Sequence, residues 1–194
     1  MFTEIAMRVP MPELLNMQAE MRAKALALMD EIQSNNDWRC GTFSTFNTEY
    51  DLLKDELFRP LLMATGQAVL EMAAYYGVQT DELACTQAWL NVAKPGDYQE
   101  YHVHPRSHFS AVYYIDVPEN SGNLVMRSHE ADKDMFPLPA VESTPASSRT
   151  FFHVPQAGTA LVFRSNLPHM VEQNKSEHPR ISVAMNFVFV PNGA

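Results

Sequence analysis

The stretch that decides the fold runs from Tyr98 to Tyr114 and reads YQEYHVHPRSHFSAVYY. It places His102 and His104 two residues apart, between residues that favour β-strands. Side chains two residues apart in an extended strand point to the same side. Two neutral imidazoles on one face can share a metal ion, because imidazole is a common nitrogen ligand of iron, zinc and copper. The spacing therefore predicts a β-strand that carries part of a metal site.

Two later residues strengthen this interpretation. His169 supplies a third imidazole, and Arg180 follows it after eleven residues, at the start of the strand-like segment RISVAMNFVFV. In an extended strand, Arg180, Ser182 and Asn186 lie on one side, which is polar and suits a ligand cavity. A guanidinium holds a carboxylate with two parallel hydrogen bonds, which a lysine cannot reproduce. The alternative role of Arg180 is a surface salt bridge.

The length and composition favour one compact domain. A chain of 194 residues with 46% hydrophobic content can build one substantial core and is too short for two comfortable domains. We expect a single domain over residues 1–194, with an N-terminal helical part in residues 1–80 and a β core in residues 81–194.

Charge and cysteine content restrict the partners and the compartment. The net charge of −9 and the pI near 5.2 argue against a broad surface for nucleic acid or anionic membranes. The start, MFTEIAMRVPMPELL, resembles neither a secretory signal nor a membrane span, so we expect a cytoplasmic protein. Cys40 and Cys85 have no metal-binding or disulfide spacing, and we interpret both as reduced packing residues.

The order of the predicted elements indicates the fold class. Apolar residues recur at helical spacing over Pro12–Gln33 and again over Leu57–Tyr76, where Gly77 is placed to end the helix. Short β-compatible segments with turn residues between them follow Asp81. Helices first and strands afterwards favour an antiparallel double sheet, so we predict a jelly roll with helices packed on its outside. The strand-like segments are LACTQAWLNV, QEYHVH, SAVYYIDV, NLVMR, RTFFHV, TALVF and ISVAMNFVFV.

Two stretches have open assignments. Trp38–Asn47 is either an edge strand or an ordered loop. Ser128–Arg149 is rich in Pro, Ser and acidic residues, and a connection of this length is either disordered or a lid over the site.

Several other polar residues are weaker candidates. Glu100 shares a face with His102 if the strand is regular, which makes it the alternative carboxylate ligand. His108 follows Pro105, which bends the chain, and is left out of the ligand set. Tyr113 and Tyr114 lie on opposite sides of their strand, so at most one faces the cavity. No role is assigned to His129, His153 and His178.

Four segments together carry a family resemblance, covering roughly the C-terminal half of the chain. They are WLNV, GDYQEYHVHPRSHFSAVYYIDVP, AGTALVFRSNLPHMV and RISVAMNF. They resemble the putative 2-oxoglutarate-Fe(II) oxygenases, in a branch with an H-x-H-P motif. The resemblance implies a double-stranded β-helix with iron at its mouth, and 2-oxoglutarate as a co-substrate that is decarboxylated to succinate as O₂ is activated.

The resemblance also implies roles for individual residues. His102 matches the first iron ligand, His104 occupies the place of the usual carboxylate, and His169 matches the distal ligand. Arg180 matches the residue that pairs with the distal carboxylate of 2-oxoglutarate, and Ser182 completes an R-x-S pattern. Further candidates for binding the co-substrate are Asn91 and Tyr114. The histidine at position 104 departs from the usual ligand set of two histidines and one carboxylate.

Three classes of function follow from these residues. The leading one is an Fe(II)- and 2-oxoglutarate-dependent oxygenase that hydroxylates an unidentified substrate. The second is a cupin-like dioxygenase with a three-histidine metal site and no 2-oxoglutarate, which would not need Arg180 with Ser182. The third is a non-catalytic binding protein on the same scaffold. The sequence names no prime substrate, and a homodimer through the helical part is an additional expectation.

Overall fold

The computed structural model describes residues 4–34, 40–78, 82–129, 139, 141–142, 144 and 147–190. This part of the chain contains two α-helices and ten β-strands. The helices are α1 (Gln18–Glu31) and α2 (Arg59–Tyr75). The strands are β1 (Ala6–Pro10), β2 (Phe43–Ser44), β3 (Leu83–Ala93), β4 (Gln99–His102), β5 (Phe109–Asp116), β6 (Leu124–Arg127), β7 (Thr150–His153), β8 (Thr159–Arg164), β9 (His169–Val171) and β10 (Arg180–Phe189).

The strands form two antiparallel sheets. One has six strands in the order β1-β8-β5-β10-β3-β2, and the other has four in the order β4-β9-β6-β7. From β3 to β10 the chain crosses repeatedly between the two sheets, which is the winding of a double-stranded β-helix. The predicted mainly β fold with N-terminal helices, a jelly roll with helices packed outside, is confirmed.

The two helices cover one face of the six-stranded sheet. Helix α1 contacts β3 and β5, and α2 contacts β3, β5 and β8. The predicted apolar stripe of the first helix is buried in this core at Met21, Ala25 and Leu28. The first residues of that helix, Pro12–Met17, form a 3-10 turn instead of α-helix. Burial of this face, more than intrinsic propensity, holds the helices in place.

The end of α2 matches the prediction from Gly77. Gly77 has a φ of 73°, in the left-handed region where glycine carries no steric penalty. The backbone amide of Val78 donates to the carbonyl of Ala73, and that of Gly77 donates to Ala74. These bonds satisfy carbonyls that the helix end would otherwise leave without partners.

The N-terminal part differs from a purely helical one. Strand β1 pairs with β8 and β2 pairs with β3, so residues 1–80 add both edge strands to the six-stranded sheet. The sequence did not predict β1 or the short strand β9. Trp38–Asn47 contains β2, which fits the edge-strand alternative, and residues 35–39 lie outside the described residues. Most of Ser128–Arg149 also lies outside them, so the lid stays a prediction.

The alternation of β10 positions the site. Ile181, Val183 and Met185 are fully buried on the helix side of the sheet. Arg180, Ser182, Asn186 and Val188 turn toward the space between the two sheets, where they line a cavity. In the described part of the chain, the helices are too short or too polar to cross a membrane.

Candidate metal centre and co-substrate site

Three histidines meet at one end of the cavity. His102 ends β4 and His169 begins β9, and the pairing of these strands sets the two residues opposite each other. Their ring centroids are 4.2 Å apart, and the ring of His104 lies 5.2 Å from His102 and 5.0 Å from His169. One nitrogen from each ring lies within 4.8 Å of the others, so the three residues form a group that could hold one metal ion.

His104 reaches this group by a different route from the predicted one. The strand was expected to continue through His104, but β4 ends at His102, with an irregular register between Gln99 and His102. The backbone amide of His104 donates to the carbonyl of Ser165 at 2.9 Å, which fixes the loop after β4. His104 therefore reaches the other two rings on a loop that is anchored to Ser165, the residue after β8. It does not share a strand face with His102.

Hydrogen bonds from Nδ1 fix the tautomer of two of the rings, His102 and His169. Nδ1 of His102 donates to the carbonyl of Glu100 at 2.8 Å, and Nδ1 of His169 donates to that of Leu167 at 2.9 Å. A carbonyl oxygen only accepts, so in both rings Nδ1 carries the proton and Nε2 is the nitrogen that bears the lone pair.

The third ring has a side-chain partner. Nδ1 of His104 lies 2.7 Å from Oδ1 of Asn186. Its Nε2 lies 3.2 Å from Nε2 of His169, so two lone pairs face each other with no proton between them. A cation bound between the two Nε2 atoms would remove the repulsion between their lone pairs. Metal-binding histidines commonly have the other ring nitrogen hydrogen-bonded, as Nδ1 is here.

Burial keeps all three imidazoles neutral. Loss of solvent lowers the pKa of His102, and it lowers the pKa of His104 to about 4, with a further contribution from the neighbouring His102. The pKa of His169 is lowered well below its ordinary value, first by burial and then by His102 and His104. Neutral imidazole is the form that binds metal, so the group needs no deprotonation near pH 7.

Two residues considered from the sequence lie outside this group. Within the described ranges, the cluster of potential metal ligands contains the three histidines and not Glu100, whose backbone carbonyl supports His102 instead. His108 uses Nδ1 to accept a hydrogen bond from the backbone amide of Phe189 at 3.1 Å.

The histidines open into a cavity of about 770 Å³ between the sheets, which also contains the predicted co-substrate residues. On β10, Ser182 lies opposite Asn91 of β3 and opposite Tyr114 of β5. Neighbouring residues in register point to the same face, so these three side chains form a row across the sheet. Tyr113, the neighbour of Tyr114 on β5, points to the helix side of the sheet and lies in the main core.

Arg180 is a buried cation in this cavity. Arg180 is only 6% exposed to solvent. Nη1 donates to the carbonyl of Ser121 at 2.6 Å and to that of Gly122 at 3.3 Å. Among the described residues no carboxylate pairs with it, and burial lowers its pKa, an effect that Tyr114 and Asp97 oppose. A buried charge without a counter-ion is costly, which suits this position to an anionic ligand.

The hydroxyl of Tyr114 completes this end of the cavity. It is buried and has no hydrogen-bond partner in the described part of the chain. Burial raises the pKa of Tyr114, so the hydroxyl stays protonated and can donate. An unsatisfied donor beside an unpaired guanidinium is what a carboxylate ligand would satisfy.

Sequence reasoning missed a polar network behind His104. Oδ1 of Asn186 also accepts from Oγ of Ser110 at 2.8 Å, and Nδ2 of Asn186 donates to Oε1 of Gln87 at 2.9 Å. Oγ of Ser110 lies 2.8 Å from Oγ of Ser165. The one signal in the sequence was the position of Asn186 on the cavity side of its strand. The partners come from three other segments, which no local pattern connects.

An aromatic wall lies on the other side of His104. The indole of Trp89 stacks on the His104 ring, with centroids 5.5 Å apart and planes 24° apart. Phe46 contacts the same indole at 5.0 Å. Both aromatic residues line the cavity, so the wall beside His104 is apolar.

A double-stranded β-helix with a histidine cluster and a buried arginine in one cavity is the architecture of metal- and keto-acid-dependent oxygenases. A family model described as "Putative 2OG-Fe(II) oxygenase" matches residues 87–186. The chain belongs to this family. It is accordingly an oxidoreductase whose cofactor is Fe(II) and whose co-substrates are 2-oxoglutarate and O₂.

Solved structures share the fold at low sequence identity. The epimerase SnoN from nogalamycin biosynthesis superposes with a TM-score of 0.66 at 17% identity, covering 99% of this chain and 81% of SnoN. A prolyl-4-hydroxylase from Pseudomonas putida gives 0.65 at 18% identity, covering 97% and 95% of the two chains. A viral collagen prolyl hydroxylase from Paramecium Bursaria Chlorella virus-1 gives 0.62 at 12% identity, covering 95% and 96%. No curated protein sequence matches the chain.

Proposed function

We propose that His102, His104 and His169 hold the Fe(II) ion through their Nε2 atoms. The tethered Nδ1 atoms, the neutral state of the rings and the close approach of two Nε2 atoms support this assignment. Three protein ligands would leave room on the metal for a bidentate keto acid and O₂. When bound, the metal supplies O₂ activation coupled to decarboxylation of 2-oxoglutarate to succinate.

Arg180 is the residue that binds the distal carboxylate of 2-oxoglutarate in this proposal. The observation that carries it is a guanidinium buried in the same cavity as the histidines, which forms no ion pair in the described part of the chain and which the charge of Asp97 reaches without such a contact. Tyr114 donates its free hydroxyl to the same carboxylate, and Ser182 and Asn91 contact the co-substrate from the adjacent positions of the row. The chain thereby orients the keto acid toward the histidines and excludes water from its charged end.

The reaction we propose is hydroxylation of an organic substrate at an unactivated C–H bond. The substrate enters from the mouth of the cavity, past Trp89 and Phe46, because Arg180 and its neighbours occupy the opposite end. The cupin-like alternative without 2-oxoglutarate leaves the cost of burying Arg180 unexplained.

Anaerobic addition of Fe(II) and then 2-oxoglutarate tests this function. A visible charge-transfer band from chelated keto acid is expected. Iron binding without the band would support a three-histidine dioxygenase of another type. Failure to bind iron would support a non-catalytic role.

The cytoplasmic location and the homodimer through the helical part remain predictions. The two cysteines, Cys40 and Cys85, are free thiols. Sedimentation velocity of the purified chain measures the oligomeric state directly.

A further inference from the structure

The mouth of the cavity carries a cation that the proposed function does not use. Arg106 lines the same cavity as the histidines, and its residue is exposed at the mouth. Across the described ranges it has neither a hydrogen bond nor an ion pair. Charged side chains other than histidine in the lining are Arg106 and Arg180, and the described lining contains no Asp, Glu or Lys. In a chain with a net charge of −9, an acid-free lining of this kind favours an anionic ligand.

Arg106 lies at the opposite end of the cavity from Arg180. The loop that carries Arg106 packs against the C-terminal half of β10, because His104 contacts Asn186 and the backbone amide of His108 donates to the carbonyl of Phe187. Asn186 is six residues from Arg180, a separation of about 20 Å along a strand. One ligand carboxylate at Arg180 therefore leaves Arg106 free for a second molecule.

The backbone at Arg106 is held in a conformation that arginine rarely adopts. Its φ is 65°, and it follows Pro105 in a turn. Proline followed by a residue of positive φ is the pattern of a type II turn, in which glycine is preferred at the second position. A non-glycine residue there carries strain, and such strain is found most often at ligand-binding positions.

The wall beside His104, close in the chain to Arg106, is aromatic. Trp89 stacks on His104, two residues before Arg106, and Phe46 contacts the indole. The cavity of about 770 Å³ has the size of pockets that hold a small molecule. A ligand that contacts both the aromatic wall and the Arg106 guanidinium combines a planar apolar body with an acidic group.

We infer that the prime substrate is a small organic acid with a flat apolar body, whose carboxylate or phosphate pairs with Arg106. Its body lies against Trp89 and Phe46, which brings carbon atoms next to His104 and the proposed metal position. This inference rests on the proposed oxygenase function and names the substrate class of that same site.

Fluorescence of Trp89 provides the test. The chain has two tryptophans, so Trp38→Phe leaves Trp89 as the sole reporter. The protein is loaded with Zn(II), for the three histidines, and with 2-oxoglutarate, for Arg180, because a zinc-loaded protein does not turn over. Three probes are titrated: 3-phenylpropionate, phenyl phosphate and the neutral 3-phenylpropionamide. We expect at least one acid to bind about tenfold or more tightly than the amide.

Substitutions identify the cation responsible. Arg106→Gln should reduce the preference for acid over amide to within about twofold, and Arg106→Lys should keep part of it, because the charge remains while the fork is lost. Arg59→Gln, on the exposed surface of α2, is the matched control and should keep the full preference. The ranking of the two acids distinguishes a carboxylate from a phosphate substrate.

The inference is overturned if neither acid binds better than the amide, or if the preference survives in Arg106→Gln. The charge-transfer band of Fe(II) with 2-oxoglutarate should be equal in wild type and Arg106→Gln. Loss of that band in wild type would contradict the oxygenase function itself, so the two failures are distinguishable.

Discussion

Oδ1 of Asn186 accepts a hydrogen bond from Nδ1 of His104 at 2.7 Å, so a side chain of β10 sets the orientation of a ring on the loop after β4. The same oxygen accepts from Ser110, and the Asn186 amide nitrogen donates to Gln87. His104 is therefore aimed at the other two histidines by a network that spans three strands. The predictions below separate the roles of these groups.

Asn186→Leu should weaken Fe(II) binding by about 10- to 100-fold, the range found when partners of metal-binding histidines are removed. The loss follows because the His104 ring is no longer held with Nε2 toward His169. Asn186→Asp should bind more tightly than Asn186→Leu, since its carboxylate still accepts from Nδ1. Anaerobic Fe(II) titration measures both. Ser182→Ala, on the same side of the same strand, is the control and should leave Fe(II) affinity unchanged.

His104→Ala should remove most of the bound iron, because one of three proposed ligands is lost. His104→Asp should retain iron, since it restores the ligand set of two histidines and one carboxylate. Glu100→Ala should also retain it, because the support of His102 comes from the backbone carbonyl of Glu100. Metal content by mass spectrometry after desalting decides between them. Iron loss in Glu100→Ala with full retention in His104→Ala would transfer the role to Glu100.

Arg180→Ala should weaken 2-oxoglutarate binding by about thirtyfold or more, since losing one partner of a charged pair in a desolvated site costs about 2 to 5 kcal/mol. Iron affinity should barely change. Arg180→Lys should fall between wild type and Arg180→Ala, because it keeps the charge and loses the fork. Titration of the charge-transfer band gives the Kd.

Two comparisons make the Arg180 result specific. Arg59→Ala, exposed on α2, should bind 2-oxoglutarate like wild type. The melting temperature of Arg180→Ala reports whether the loss of its bonds to Ser121 and Gly122 disturbs the fold. Unchanged 2-oxoglutarate affinity and succinate production in a folded Arg180→Ala protein would contradict the assignment.

Tyr114→Phe should weaken 2-oxoglutarate binding by about 1 to 3 kcal/mol, because it removes a neutral donor to a charged group. The free energy of unfolding should not fall, since the hydroxyl has no hydrogen-bond partner within the described residues. Tyr113→Phe is the matched control, because that ring lies on the helix side of the sheet. Equal 2-oxoglutarate affinity in Tyr114→Phe and wild type would place the carboxylate elsewhere.

Both thiols should react slowly with iodoacetamide at pH 8. Burial raises the pKa of Cys85 to about 12 and raises that of Cys40, so the reactive thiolate is scarce in the folded protein. At pH 8 a pKa of about 12 leaves about one thiolate in ten thousand. Mass spectrometry should find both residues unmodified when folded and alkylated in denaturant. Fast alkylation of either in the folded state would contradict their interpretation as packing residues.

The sequence predicted the strands and the side of β10 that faces the cavity because alternation is a local property. Arg180 and Ser182 could be assigned to one face, and Ile181 and Val183 to the other, from spacing alone. Strand β1 escaped prediction because it is short and is stabilised by pairing with β8, about 150 residues later in the chain. Strand β9 has three residues, too few for a periodic signal.

Residue chemistry and spacing by themselves determined the fold class, the family resemblance and the candidate residues of the site. Tertiary structure decided how these residues meet. It brings His104 to the other histidines through a loop anchored on Ser165, fixes its ring through Asn186, and buries Arg180 with no described carboxylate beside it. These relations depend on contacts between segments far apart in the chain. Local patterns carry no information about such contacts, because their energies arise only when the sheets have assembled.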